Sequence, residues 1–168
     1  LGLAIPLVVA IATERSARAG VLVKDRLALE RMRTVTTVAF DKTGTLTRGE
    51  PALVAVESVP GAGATEDQVL ALAAAAEADS EHPLARAIVR AAAERGLPVP
   101  AAADFASQPA LGVTATVGGT QVRVGGPRLL AEQALVDPAP YRGEGVTRLF
   151  VLRDGVLVGV LSLADEVR

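Results

Sequence analysis

What most constrains the fold of this chain is a change of hydrophobic period at Pro100. Between Thr65 and about Arg95 apolar residues recur at helical spacing, whereas Val113, Ala115 and Val117 alternate with Thr114 and Thr116. A segment carrying both periods is neither a helical bundle nor an all-β barrel; it predicts helices packed on an antiparallel sheet. Thr65 is a hydroxyl N-cap for an Ala-rich helix reaching about Asp79, and Pro83 suits the first position of a second helix. That helix stops near Arg95, where Gly96 and Pro98 follow. Beyond Pro100, Gly118-Gly119 turns one hairpin back towards Val122 and Val124. A short helix over Leu129–Leu135 and a loop with Pro138, Pro140, Gly143 and Gly145 come next. Leu149–Leu152, the Asp154-Gly155 turn and Val156–Leu163 make a second hairpin.

The residues before Thr65 read differently. Leu27–Arg33 has the pattern of a short amphipathic helix, and the β-branched run Val35–Phe40 reads as a buried strand ending at Asp41. Ala52–Val59 reads as a further strand. The order strand-acid, helices, hairpins and a returning strand describes an α/β core interrupted by an inserted α+β module. At the start, Leu1–Ala12 has no charge and is followed by a mostly basic flank from Glu14 to Arg33. Such a run is too short to span a bilayer alone, so it is a core helix or the end of a spanning helix whose flank faces the cytoplasm.

Composition narrows the function. Half the residues are hydrophobic but only 2% are aromatic, so Ala, Val and Leu must make the core and base-stacking platforms are missing. A formal net charge of -2 lacks the basic excess that a nucleic-acid backbone demands, and nucleic acid is not expected as a partner. With no cysteine, neither disulfides nor thiolate metal sites arise within these residues.

The chemistry lies in Asp41-Lys42-Thr43-Gly44-Thr45-Leu46-Thr47. A carboxylate ending a strand can attack a phosphoryl group and form an acyl phosphate. Gly44 permits a turn whose amides face phosphate, and Lys42 and Thr45 add donors. Spacing alone equally describes a surface turn in which Asp and Thr bond their own backbone. His82, read alone, is a solvated cap before a helix.

Taken as a string, residues 41–47 are identical to the phosphorylation signature of the P-type ATPases, ion pumps that pass through an aspartyl phosphate. Ser80-Glu81-His82-Pro83-Leu84 resembles the Ser-Glu-His-Pro motif of their heavy-metal subfamily. The resemblance implies that Asp41 is phosphorylated, that Lys42, Thr43 and Thr45 organise phosphate, and that Asp41 and Thr43 hold Mg2+. It implies that Glu77 and His82 surround the adenine of ATP and that Gly112 and Gly125 belong to the nucleotide pocket. There, Ala110 and Gly126 replace the Gly and Asn usual in the subfamily. Related phosphatases carry a second Asp two positions after the nucleophile, where this chain has Thr43. The implied fold is α/β, a partial haloacid-dehalogenase-like Rossmannoid phosphorylation domain with an inserted α+β nucleotide-binding domain, an antiparallel sheet flanked by helices.

Its implied boundaries are a transmembrane helix end and elbow over 1–20, the opening of the phosphorylation domain over 21–48, the nucleotide-binding domain over 49–164 and a return over 165–168. The resemblance further implies a catalytically incomplete fragment of a membrane-embedded pump. Its first helix would touch lipid, residues after about 15 would face the cytoplasm, and a heavy-metal cation would be the cargo. Copper is favoured by the likeness of Leu1–Pro6 to the end of the copper-pump transmembrane motif. A soluble phosphatase of the same superfamily and a non-catalytic nucleotide-binding module are the alternatives.

Overall fold

The computed structural model describes residues 4–41, 45, 47–138 and 145–167, within two compact units, Leu1–Phe40 and Asp41–Arg168. In the first unit, α1 (Ala4–Arg18) carries the apolar start of the chain onwards into Glu14, Arg15 and Arg18. Arg18 donates to Glu14 one turn earlier at 2.6 Å. Leu7, Val8 and Ile11 are exposed on this helix. Among the described residues no helix is long and apolar enough to cross a membrane. Lipid contact through this helix therefore gains no support from the structure. Asp25 caps α2 (Arg26–Arg31) by accepting from the Leu27 amide at 2.9 Å, and a 3-10 turn over Met32–Thr34 completes the expected short helix, with Leu27 and Met32 exposed.

The buried strand expected over Val35–Phe40 does not form. These residues are irregular, and Val35, Val38 and Phe40 are 54%, 66% and 66% exposed. A strand persists only beside a neighbour that takes up its hydrogen bonds, and among the described residues no strand pairs with this run. The parallel Rossmannoid sheet has no strand pair among the described residues for the same reason.

The second unit is the inserted module. Its elements are β1 (Thr47–Ser58), α3 (Glu66–Glu77), α4 (Pro83–Glu94), β2 (Ala102–Gln108), β3 (Gly112–Val117), β4 (Thr120–Gly125), α5 (Pro127–Glu132), β5 (Val146–Arg153) and β6 (Val156–Val167). The sheet is antiparallel throughout, in the order β1-β6-β5-β4-β3-β2. Local chemistry explains its punctuation. Thr65 and Gln68 form a reciprocal capping box, the Gln68 amide donating to Thr65 Oγ1 at 3.2 Å and the Thr65 amide to Gln68 Oε1 at 2.9 Å. Asp154 and Gly155 both hold left-handed backbone, at φ 48° and 77°, the conformation a two-residue hairpin turn needs.

Helices α3 and α4 cover one sheet face, where Val69, Leu70, Ala73 and Ile88 pack with Val113, Ala115, Val122, Val124 and Val151. Small alanines let α3 lie close, so the fully buried part of this layer is made of aliphatic side chains, with Phe105 packed at its edge. On the other face Leu129 and Leu130 of α5 cover Phe150, Leu152 and Val160. Strand β2 escapes sequence reading because it is a mostly exposed edge, disrupted by a bulge near Asp104, and shows no alternation.

Candidate functional site

Where α3 ends and α4 begins, the chain opens a cleft of about 300 Å³. Glu77, Ser80, His82 and Leu84 form one wall. The β2–β3 turn from Ser107 to Gly112, the end of β4 from Val124 to Gly126, and Leu149 of β5 supply the rest. The size lies at the small end of ligand pockets and suits a nucleoside-sized group. Of the residues the sequence singles out, the structure therefore gathers Glu77, His82, Gly112 and Gly125 in one place.

His82 is both a cap and a wall. Its Nδ1 accepts from the Leu84 amide at 3.1 Å, capping α4. An accepting Nδ1 bears no proton, so in the neutral ring the proton sits on Nε2, which is left as the ring's donor. The His82 amide donates to Ser80 Oγ at 3.4 Å, and the Ser80 amide donates to the Glu77 carbonyl at 3.0 Å, so the turn holds all three residues together.

Glu77 is 6% exposed. Burial pushes its carboxyl up from 4.5 to about 7, partly countered by the hydrogen bond with Ser80. A raised folded-state value means that stability is fully present below about 4.5 and is lost as pH rises through 7. The loss is of the order of 3 kcal/mol once the group is fully ionised. Thermal melts at pH 5.5 and 8.5 should accordingly differ less for Glu77→Gln than for the parent chain; an equal difference would remove Glu77 as its source.

Gly112 and Gly125 have a packing reason to be glycine. A Cβ on Gly125 would overlap the Leu111 carbonyl oxygen, and one on Gly112 would overlap the Val124 carbonyl oxygen and lie 2.6 Å from Gly125 Cα. Gly112 also stands at φ 111°. The two strand ends thus touch backbone to backbone, and this closeness shapes the cleft floor. Ala110 holds left-handed backbone at φ 65°, a conformation glycine adopts more easily. Gly126 caps α5 at an ordinary φ of -79° without a side-chain bond, and open space lies where its Cβ would be.

The phosphorylation string is described only in part. Asp41 is exposed and outside regular structure, and Thr45 is exposed; neither lines the cleft. Lys42, Thr43 and Gly44 lie outside the described residues. Among the described residues no cluster of three His, Cys, Asp or Glu could hold a metal ion. Among the described residues Asp41 stands as a lone exposed carboxylate, short of the oxygen set that Mg2+ requires.

Sequence reasoning gave no site role to Ser80, although its place three residues after Glu77 is a detectable helix-end spacing. The wall formed by Ser107 and Gln108 was hidden with β2.

A family model described as haloacid dehalogenase-like hydrolase matches residues 35–168. A copper-transporting P-type ATPase of Rhizobium leguminosarum is 43% identical over 100% of this chain and 20% of its own length. A probable cobalt/nickel-exporting P-type ATPase of Mycobacterium bovis is 45% identical over 97% of this chain and 24% of its own length. The chain thus spans a fifth to a quarter of these relatives. Among solved structures, a zinc-transporting PIB-type ATPase in its E2·Pi state is 34% identical with a TM-score of 0.78, over 95% of this chain and 26% of that one. The N-domain of HMA6, a copper-transporting P-type ATPase, is 27% identical with a TM-score of 0.56 and covers 68% of this chain and 98% of its own.

Proposed function

This chain belongs to the haloacid dehalogenase-like hydrolase family, and from that premise we propose that it is the nucleotide-binding module and the opening of the phosphorylation domain of an ATP-driven heavy-metal pump. The observation that carries the reading is the convergence of Glu77, Ser80 and His82 with the backbone at Gly112 and Gly125 on one nucleoside-sized cleft. Relatives named for copper and for cobalt and nickel, and a structure named for zinc, share the sequence or fold. The transported cation is therefore chosen outside this cleft. Copper remains our first assignment, on Leu1–Pro6.

In this reading the module is 49–164, the phosphorylation domain opens over 21–48 and resumes at 165–168, and 1–20 enters the membrane. Residues after about 15 would face the cytoplasm. Enzymes of this kind use ATP and Mg2+ in general. His82 and Glu77 hold the base, and Lys42 and Thr45 hold the transferred phosphoryl group. A carboxylate oxygen of Asp41 attacks the γ-phosphorus while the bond to the bridging oxygen breaks, ADP leaves and an aspartyl phosphate remains. Thr43 offers no carboxyl group to activate water, so the acyl phosphate persists, as a pump requires and a phosphatase does not.

His82 tests the assignment. His82→Ala should weaken ATP binding about tenfold, the loss of one good hydrogen bond, and cost about 1 kcal/mol of stability through the lost cap. His82→Asn keeps a capping acceptor and should recover the stability without the affinity. Calorimetric titration and thermal melting read the two effects separately; if Asn restores both, His82 is a cap and nothing more.

A further inference from the structure

Glu77 is a buried carboxyl in a cleft whose described lining gives it no counter-charge. It sits at the end of α3 and is 6% exposed; its neighbours in the cleft are Ser80 and His82, the other titratable group of the lining. Among the described side chains, the cations of the elements packed on α3 are occupied elsewhere. On α4, Arg86 donates to the Glu81 carbonyl and Arg90 to the Pro51 carbonyl, while Arg95 just beyond pairs with Asp67. On β4, Arg123 pairs with Glu132. On β5, Arg148 pairs with Asp137, and Arg153 donates to the Ala62 carbonyl. Glu57 of β1 lies by Arg148, Asp104 of β2 is exposed, and β3 has no charged residue. Asp165 of β6 pairs with Pro51 in the sheet register, away from the cleft lining.

A neutral carboxyl group offers one donor beside one acceptor, while an ionised one offers acceptors alone. Adenine presents an amino donor beside a ring-nitrogen acceptor, the complement of the neutral acid. Guanine presents its amino group beside a ring N–H, two donors that complement the carboxylate. Resting on the nucleotide reading above, we infer that Glu77 selects the base through its proton: it reads adenine as the neutral acid, and it takes up a proton when ATP binds at alkaline pH. The elevated value near 7 places this exchange within reach of ordinary conditions.

The test is calorimetric titration of this chain with ATP and with GTP at pH 6 and pH 8, in buffers of different protonation enthalpy. ATP should bind about tenfold more weakly at pH 8 than at pH 6, because only about a tenth of the sites then hold the required proton. GTP should change in the opposite direction. Glu77→Gln presents the donor and acceptor of the neutral acid permanently. It should bind ATP about tenfold more tightly than the parent at pH 8 and lose the Glu77 share of proton uptake, read as parent minus variant so that phosphate titration cancels. An equal pH dependence in parent and variant overturns the inference, and so do parallel trends for ATP and GTP in the parent, whether or not the variant folds. Nucleotide binding without that proton uptake overturns this inference alone; no binding of any nucleotide at either pH overturns the nucleotide reading with it.

Discussion

Gly125→Ala should destabilise the second unit by about 3 kcal/mol or more, read in thermal melting as a fall of roughly ten degrees. The methyl group would enter the space of the Leu111 carbonyl oxygen and come 3.1 Å from Leu129 Cβ. Neither neighbour is the free end of a flexible side chain. Relief must part the β2–β3 turn from the end of β4, which opens the cleft floor. Gly112→Ala should cost as much, because it meets the same contact from the other side and adds a side chain at φ 111°. The pair should be far from additive, since either one already separates the strands. Gly126→Ala, into open space at φ -79°, is the control and should change stability little. If Gly125→Ala melts within a degree or two of the parent, the backbone contact is not what shapes the cleft.

Asp41→Asn, placed in the full-length pump that we propose as parent, should reduce acid-stable, hydroxylamine-labile labelling from radioactive ATP to background. An amide oxygen is too weak a nucleophile to form the acyl phosphate. Nucleotide affinity should survive, because Asp41 does not line the cleft. The isolated chain should bind nucleotide without sustained turnover. Labelling that persists in Asp41→Asn moves the nucleophile to another residue, and labelling absent from the parent as well favours a binding module.

The elements most legible beforehand were those decided within a few residues. Thr65 and Gln68 close their own cap, Pro83 stands in the first turn of α4, and Asp154-Gly155 has the backbone freedom of a tight turn. The Val35–Phe40 run was misread because its β-branched side chains report compatibility with a strand and say nothing of a partner. Strand β2 went unread for the opposite reason: its hydrogen bonds to β3 make it a strand despite a mostly exposed, non-alternating surface. Arg148 shows a third limit. It is largely buried, pairs with Asp137 and lies 5.4 Å from the centre of the Phe150 ring, yet by sequence it is an ordinary cation in an apolar strand.

By itself the sequence determined the caps, the turns, the alternation of the central strands and the identity of the chemical groups at positions 41, 77 and 82, since these depend on covalent structure and on neighbours a few residues away. A common pocket for Glu77, His82, Gly112 and Gly125 was implied by the family resemblance; the tertiary structure decided that Gly112 and Gly125 touch backbone to backbone at its floor, and that Glu77 is buried in a described lining that holds no cation. A carboxyl group's proton affinity is set by the solvent it loses and the charges that surround it, and both follow from which distant segments come to cover it.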